Sequence, residues 1–163
     1  MFKNGILQVA AATPEIIVGD IQHNKNQILS LLDQSRAGAI VFPELTITGY
    51  TASDLFYQEA FIQEAKSALF DIMKTTSFKG IYIIGAPLEL FGILYNCALV
   101  FQGNQILGVV PKHYLPNYHE FYEKRWFHTG FKTEIKSINL FDQPVPFGYL
   151  IFEEEKHMIR FGV

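Results

Sequence analysis

The order of its apolar segments constrains this chain more than any other feature. Three short apolar runs, at residues 5–12, 39–42 and 81–86, have the length and composition of buried β-strands. The segments between them, residues 20–34 and 59–75, instead carry apolar residues at helical spacing. The order strand, helix, strand, helix, strand predicts an α/β fold in which helices pack on a sheet.

The residues that flank the helical segments support their boundaries. Asp20 is a suitable N-cap for the first helix, because Gly19 has already broken the preceding strand. Residues 44–58 contain turn residues and no sustained period, which predicts a loop before the second helix. The apolar residues expected on the buried faces are Ile21, Ile28, Leu29, Leu31 and Leu32 in the first helix, and Ile62, Ala65, Leu69, Ile72 and Met73 in the second.

Strand-like runs dominate the second half of the chain. Residues 94–102 and 105–110 flank the pair Gly103-Asn104, which predicts a hairpin with a tight primed turn. A long loop rich in aromatic and charged residues is expected at 111–129. Further strands are predicted at 134–140, 149–153 and 156–163.

Composition argues against several classes of protein. Hydrophobic residues make up 49% of the chain and charged residues 18%, which is enough apolar material for a packed core. A formal net charge of −3 without a basic run predicts no binding to nucleic acid or to a membrane surface. The most apolar window, residues 81–101, contains Gly85, Pro87 and Glu89, so it is a poor membrane helix.

The cysteine and histidine content predicts neither a disulfide nor a metal site. Cys97 is the only cysteine, and the five histidines lack metal-ligand spacing. Cys97 lies in the middle of a predicted strand, far from any helix N-terminus that would activate it, so a buried structural thiol is expected. With no signal-peptide pattern at the N-terminus, these features predict a reducing, cytoplasmic location.

Two charged residues follow predicted strands at positions that suit catalysis. Glu44 comes directly after the strand at 39–42 and Pro43, at the edge where open α/β sheets bind their ligands. A glutamate there suits a general base, although a solvated loop glutamate is the commoner occupant of such a position. Lys112 follows the predicted hairpin and suits the stabilisation of an oxyanion, although surface lysines are commoner.

The loop at 114–127, YLPNYHEFYEKRWF, concentrates aromatic rings among charged residues. Such a run suits a pocket wall on which polar groups orient a small ligand. It equally suits an aromatic patch at a subunit contact, and the residues alone leave both readings open.

The strings VFPELTITGY (41–50) and PKHYLPNYHEFYEKRWF (111–127) resemble the nitrilase, or carbon–nitrogen hydrolase, superfamily. LYNCALVFQGNQILGVVPKHYLP resembles the hairpin that leads into that family's lysine, and the likeness covers essentially all of residues 1–163. The resemblance implies an α-β-β-α sandwich and a Glu–Lys–Cys triad. It implies Glu44 as the general base and Lys112 as the oxyanion-stabilising lysine.

A second likeness narrows the branch. YLPNYHEFYEKRWF together with VPFGYLIFE (145–153) is similar to the glutaminase domain of glutamine-dependent NAD synthetases. This implies hydrolysis of glutamine, with the ammonia used by a separate synthetase domain that needs ATP and magnesium, while the amidase domain needs no cofactor. It also implies substrate-binding roles for Tyr118 and Glu123, and a homo-oligomer.

The family nucleophile is a cysteine on a strand-to-helix elbow, and the segment IRFGV (159–163) resembles the strand that leads into it. We therefore expect an N-terminal part of the hydrolase domain, with an incomplete sandwich and without the nucleophile, inactive by itself. Two alternatives remain at this stage. One is another amidase of the superfamily that acts on a free small amide, and the other is a non-catalytic binding or assembly module.

Overall fold

A five-stranded sheet and two helices form the centre of the computed structural model, which describes residues 2–3, 6–154 and 159–163. The strands are β1 (Phe2–Lys3), β2 (Ile6–Leu7), β3 (Val9–Ala11), β4 (Ala39–Val41), β5 (Ile81–Leu90), β6 (Ile93–Gln102), β7 (Gln105–Pro111), β8 (Ser137–Leu140), β9 (Gln143–Pro146), β10 (Ile151–Glu154) and β11 (Ile159–Gly162). The helices are α1 (Ile21–Gln34) and α2 (Glu59–Thr75), with short 3-10 helices at Ser53–Tyr57, Glu123–Arg125 and Gly130–Lys132.

The main sheet has the order β3-β4-β5-β6-β7. Its first three strands run parallel and the rest are antiparallel. The pairs β1–β2, β8–β9 and β10–β11 form three separate antiparallel hairpin-like sheets. This mixed architecture confirms the predicted α/β class.

Both helices lie where their sequence patterns predict them. The Asp20 side chain caps α1 by accepting the backbone N–H of His23 at 2.9 Å. Ile28 and Leu32 of α1 are buried, as are Leu69 and Ile72 of α2. The two helices pack against each other, and α2 packs against β5. The helical stripes therefore form one layer of the core.

Two tight hairpins join β5, β6 and β7. The turn after β6 has Gly103 at φ 54°, which confirms the predicted primed turn. The turn after β5 places Phe91 and Gly92 at φ 53° and 77°. β5 is longer than predicted because it pairs with β6 along its whole length, with Pro87 opposite Asn96. β4 pairs with β5 only as far as Ile83, so one edge of β5 has no strand partner at Pro87, where a residue without an N–H is tolerated.

The first strand was predicted wrongly as one buried run over 5–12. The chain instead forms β2 and β3 on either side of Gln8, and Gly5 lies outside the described residues. Ile6 is 69% exposed and Val9 is 67% exposed. Since β3 is the edge strand of the sheet, apolar composition alone overestimated its burial.

The last third of the chain contains a hairpin that the sequence did not predict. β9 has the sequence QPVP, and its two prolines argue against a strand. It pairs with β8 through a turn at Phe141 and Asp142, whose φ angles are 55° and 60°. The strand predicted at 134–140 begins at Ser137, that at 149–153 is β10, and that at 156–163 is β11, with 156–158 outside the described residues.

The two faces of the main sheet differ in their cover. The face toward the helices is buried, and Tyr82, Leu99 and Phe101 are completely enclosed there. We call the other side the outer face; Val9 and Val41 lie on it, and Val41 is 42% exposed. Within the described part of the chain, no helix is both long and apolar enough to cross a membrane.

The hairpin of β10 and β11 covers one end of the outer face. A Cβ built on Gly108 of β7 would lie 2.6 Å from Leu150 Cδ1 and 3.0 Å from the Phe152 ring. The absence of a side chain at Gly108 therefore lets this hairpin lie directly on β7.

Candidate active site

Glu44 lies in the turn that directly follows β4 and Phe42. The turn is pressed against β5, where a Cβ on Gly85 would meet Leu45 N at 2.5 Å and Pro43 O at 2.6 Å. Leu45 takes φ 50°, a left-handed conformation that costs a non-glycine residue about 1–2 kcal/mol. The close approach and the unusual backbone together fix the direction in which Glu44 leaves the sheet.

Both backbone polar groups of Lys112 form hydrogen bonds. Its N–H donates to Asn96 O at 2.8 Å, and its carbonyl accepts from Gly130 N–H at 2.9 Å. Its ammonium lies 2.7 Å from Glu44 Oε1 and 2.7 Å from Glu123 Oε1. The structure thus brings together three of the four residues that the sequence singled out for the site.

Glu123 begins a short 3-10 helix, and its side chain is only 2% exposed. Its Oε1 accepts the Tyr50 hydroxyl at 2.7 Å as well as the Lys112 ammonium. Its Oε2 is buried and has no hydrogen-bond partner among the described residues. A buried carboxylate oxygen without a donor is costly, so this oxygen has unused capacity to accept one.

A surface ion pair holds the Glu123 turn next to the loop that follows β4. Arg125 donates to both carboxylate oxygens of Asp54 at 3.0 Å, and Trp126 Nε1 donates to Asp54 Oδ1 at 3.1 Å. These hydrogen bonds, first from Arg125 and then from Trp126, lower the pKa of Asp54. The pair links the 3-10 helix Ser53–Tyr57 to the one that carries Glu123.

The charged cluster keeps its protons on Lys112 and Tyr50. Desolvation alone would lower the pKa of Lys112, but hydrogen bonds and charges from Glu123 and Glu44 outweigh it, so this pKa is raised. Desolvation, followed by the hydrogen bond to Glu123, raises the pKa of Tyr50. Lys112 therefore remains a cation and Tyr50 a hydrogen-bond donor near neutral pH.

Asn96 completes the cluster from β6. Its side-chain amide donates to Glu44 Oε1, the same oxygen that contacts Lys112. The Asn96 side chain is buried. The hydrogen bonds therefore form a continuous chain, which runs from Tyr50 through Glu123, Lys112 and Glu44 to Asn96.

The cluster lies on the wall of a mainly apolar cavity of about 510 Å³. Of the cluster, Glu44, Lys112 and Asn96 line this cavity, whereas Tyr50 and Glu123 do not. The remaining lining residues are Val41, Phe42, Ile83, Gly85, Cys97, Ala98, Val110, Pro111, His113, Tyr114, Tyr149 and Val163. An apolar cavity with a few convergent polar groups has the character of a small-molecule site.

Tyr118 does not line this cavity in the structure. It is 63% exposed, and its ring contacts that of Phe121 at 5.7 Å between centroids. Phe121 in turn contacts Tyr50 at 6.3 Å. Tyr118 is thus two rings away from Glu123, and its substrate-binding role stays a prediction.

Cys97 is buried, as predicted, and has no disulfide partner. Cys97 is among the residues that line the cavity, but alternation along β6 places its side chain in the core on the helix side of the sheet, opposite to that of Asn96. Burial raises the pKa of its thiol. Both effects oppose the formation of a reactive thiolate at the cavity.

The described residues contain no group of three or more His, Cys, Asp or Glu side chains that could hold a metal ion. The acidic side chains nearest to each other in the site, Glu44 and Glu123, are joined through the Lys112 ammonium. A cation already occupies the position between these carboxylates.

Sequence reasoning missed Asn96, Tyr50 and Gly85. Asn96 interrupts an apolar strand, and a buried polar residue within such a strand is a signal that it has a partner. Tyr50 and Gly85 carry no comparable local signal. Their roles depend on Glu123 and on the turn at Glu44, and both are distant in sequence.

The sequence matches the model of the carbon-nitrogen hydrolase family over residues 8–156. This chain belongs to the carbon–nitrogen hydrolase family. Its relatives include glutamine-dependent NAD(+) synthetases. That of Mycobacterium leprae is 34% identical over 151 residues, which cover 90% of this chain and 22% of the relative. That of Aquifex aeolicus is 34% identical over 137 residues, which cover 82% of this chain and 24% of the relative.

Solved structures of other proteins share this fold. A glutamine-dependent NAD(+) synthetase from Cytophaga hutchinsonii matches with a TM-score of 0.87 and 25% identity, over 96% of this chain and 27% of that one. An amidase from Nesterenkonia sp. matches with a TM-score of 0.70 and 17% identity, over 96% of this chain and 54% of that one. The predicted family and fold class are confirmed, and the chain spans about a quarter of the length of the synthetases it matches.

Proposed function

We propose that this chain contributes the general base and the lysine of a glutamine amidase that supplies ammonia to an NAD synthetase. The observation that carries the proposal is the position of the Lys112 ammonium, 2.7 Å from both Glu44 and Glu123 on the wall of an apolar cavity. The names of the relatives, which are 34% identical to this chain, support glutamine as the amide.

The proposed reaction has two stages. A thiolate attacks the carbonyl carbon of the glutamine side-chain amide, and the Lys112 ammonium stabilises the charge on the oxygen. Glu44 receives the thiol proton and delivers it to nitrogen as the C–N bond breaks and ammonia leaves. Water then attacks the thioester carbon, Glu44 removes its proton, and glutamate leaves as the thiol is restored.

Glu123 has a supporting role in this scheme. It shares the Lys112 ammonium with Glu44 and keeps it beside the cavity. Its Oε2 is buried, has no donor among the described residues and does not border the cavity, so the proposed contact with the substrate requires movement of the loop that carries Glu123. Tyr118 is proposed to contact the substrate through movement of the aromatic loop that carries it.

We propose that the nucleophilic cysteine is not among these 163 residues. Cys97 is the only cysteine, and its thiol lies in the core on the helix side of β6. The proposed source is the part of the full-length protein outside these residues, since the chain corresponds to 22% of the Mycobacterium leprae relative. By itself the 163-residue chain is therefore expected not to hydrolyse glutamine.

The remaining parts of the proposal concern the whole protein. The synthetase part would take the ammonia and use ATP and magnesium, and the amidase part would use no cofactor. Its partners would be that synthetase part and further copies of the same protein. The proposed location is the cytoplasm.

Glutamate release from glutamine tests the proposal. The full-length protein is expected to release glutamate, and Glu44→Gln or Lys112→Met to lower kcat by about 10²–10⁴-fold, because each removes proton transfer or oxyanion stabilisation. Cys97→Ala is the matched control and is expected to keep most of the activity. Loss of activity in a folded Cys97→Ala protein, or activity of the 163 residues alone, would contradict the placement of the nucleophile.

The choice of substrate is tested in the same assay. Glutamine and free ω-amido acids are compared by kcat/KM, and glutamine is expected to be preferred. A clear preference for another small amide would instead indicate a different amidase of the family. The binding of glutamine without any turnover by the full-length protein would indicate a non-catalytic module.

A further inference from the structure

Asn96 contacts both groups that the proposed mechanism uses. Its side-chain amide donates to Glu44 Oε1, and its backbone carbonyl accepts the Lys112 N–H at 2.8 Å. The second bond continues the ladder between β6 and β7, in which Cys97 pairs with Pro111. A single strand residue therefore sets the position of the carboxylate and of the backbone that carries the ammonium.

The Asn96 side chain is buried within this site. It is 3% exposed and lies on the cavity side of β6, opposite to the core positions of Tyr95 and Cys97. A buried amide is costly when its donors find no partner. The described contacts give its Nδ2 one acceptor, Glu44 Oε1, so the hydrogen bond is a defined feature of the cavity wall.

The donors around Glu44 are distributed unequally between its two oxygens. Asn96 Nδ2 and Lys112 Nζ both contact Oε1, with Lys112 at 2.7 Å. Among the residues that the structure describes, none donates to Oε2. Since Oε1 already accepts two donors, Oε2 is the oxygen available to take up a proton.

We infer that Asn96 is a positioning residue for the amidase reaction. It orients the Glu44 carboxylate so that Oε2 carries the proton between the thiol, the substrate nitrogen and water. The inference rests on the proposed function. Asn96 acts through Glu44 and does not itself donate to the substrate.

The loss of this hydrogen bond leaves the carboxylate held by Lys112 alone. The terminal torsion of a glutamate is broad, so a single contact does not fix the plane of the carboxylate. A misplacement of about 1 Å at a reacting group lowers a rate by about 100-fold. We therefore expect kcat to fall by about 10- to 100-fold, with little change in KM.

Two substitutions of Asn96 test this in the full-length protein. Asn96→Asp keeps the shape of the side chain and removes its donor, but adds a charge beside Glu44. Asn96→Leu removes the donor without adding a charge, so it supports the test if the first variant folds poorly. The measurements are kcat and KM for glutamine, with active sites counted by stoichiometric alkylation with iodoacetamide, and the melting temperature.

Tyr82 provides the control. It is a fully buried polar side chain on the helix side of β5, and its hydroxyl donates to Gly103 O at 2.8 Å. Because this bond joins β5 to the turn after β6, away from the cavity, Tyr82→Phe is expected to lower the melting temperature while kcat per active site stays unchanged.

The variants and the unsubstituted protein separate the possible outcomes. The inference is supported if kcat per active site falls in both Asn96 variants while their KM stays unchanged, and if Tyr82→Phe keeps the kcat of the unsubstituted protein. An unchanged kcat per active site in both Asn96 variants, or a rise in KM alone, overturns it while leaving the proposed function intact. Failure of the unsubstituted protein to release glutamate overturns the proposed function itself, and the inference with it.

Discussion

Tyr50 supports a carboxylate that has little access to solvent. Its hydroxyl donates to Glu123 Oε1 at 2.7 Å, and Glu123 is almost completely buried. Desolvation and the neighbouring carboxylates raise the pKa of Tyr50, so the hydroxyl keeps its proton at neutral pH. The Tyr50 hydroxyl is therefore a permanent donor to Glu123.

Tyr50→Phe is expected to lower the free energy of unfolding by about 1–3 kcal/mol, because a buried carboxylate loses one of its donors. Tyr57→Phe is the control, since its exposed hydroxyl only donates to Arg125 O at 2.8 Å. Urea unfolding of both variants measures the difference. Equal effects in the two variants would contradict a special role for Tyr50.

The ion pairs of Lys112 predict a particular dependence of stability on pH. Because the folded pKa of Lys112 is raised, its contribution is fully present below the unfolded value of about 10.4 and is lost as pH rises through the folded value. The difference in unfolding free energy between the wild-type protein and Lys112→Met is expected to be constant from pH 7 to 9 and to shrink above about pH 10.5. Chemical unfolding across this range measures it, and a decline already between pH 7 and 9 would refute it.

At the level of residues, the sequence predicts the site residues that lie within recognisable local motifs. Glu44 and Lys112 each follow a recognisable strand, and Glu123 lies within a distinctive aromatic run. Asn96 could not be assigned, because its partner Glu44 lies 52 positions away and only the register of the sheet brings them together. Tyr50 depends in the same way on a residue 73 positions away.

At the level of elements, Gly85 joins β5 to the turn that carries Glu44. Its backbone lies so close to Pro43 and Leu45 that a Cβ would reach 2.6 Å and 2.5 Å from their atoms. Contacts this short cannot be relieved by a side-chain rotation, because the atoms belong to the backbone. The turn itself must move if Gly85 is replaced.

Gly85→Ala is expected to destabilise the protein by about 1–3 kcal/mol and to lower kcat by about 100-fold, since the displaced turn carries the general base. Gly162→Ala is the control, because the nearest atom there is 4.0 Å from the added Cβ. The melting temperature and glutamate release of the full-length variants measure both effects. A Gly85→Ala protein with unchanged activity would show that the turn tolerates displacement.

Helices and strands that are specified by local sequence features were predicted well, and those that depend on distant partners were not. α1 and α2 have caps or a regular apolar stripe, and the hairpin at Gly103 has a characteristic turn. β9 has neither, since its QPVP sequence forms a strand only by pairing with β8. β3 was misjudged because burial depends on what covers an edge strand, which local sequence does not encode.

At the level of the whole molecule, the outer face of the sheet exposes apolar side chains next to the site. Val9 and Val41 lie on it, and the hairpin of β10 and β11 packs on Gly108 and borders a cavity that these two valines line. Exposed apolar patches of this kind favour association in water. The sequence predicted the α/β class, but not the strand order that exposes this face.

The 163-residue protein is therefore expected to self-associate as its concentration rises, and Val9→Lys to shift it toward the monomer, because a charge on this face opposes burial. Asn26→Lys is the control, as it adds the same charge at an exposed position on α1. Sedimentation velocity over a range of concentrations measures the distribution. An equal shift in both variants would indicate a general effect of charge rather than association through the outer face.

Asn96 also has a mechanical consequence for the catalytic pair. Because one strand residue holds the carboxylate of Glu44 through its side chain and the peptide of Lys112 through its carbonyl, bending of β6 carries both in the same direction. Such motion is common to the two groups and leaves their separation nearly constant. Thermal motion of the sheet therefore changes the distance between Glu44 and Lys112 very little, and proton transfer and charge stabilisation both depend on that distance.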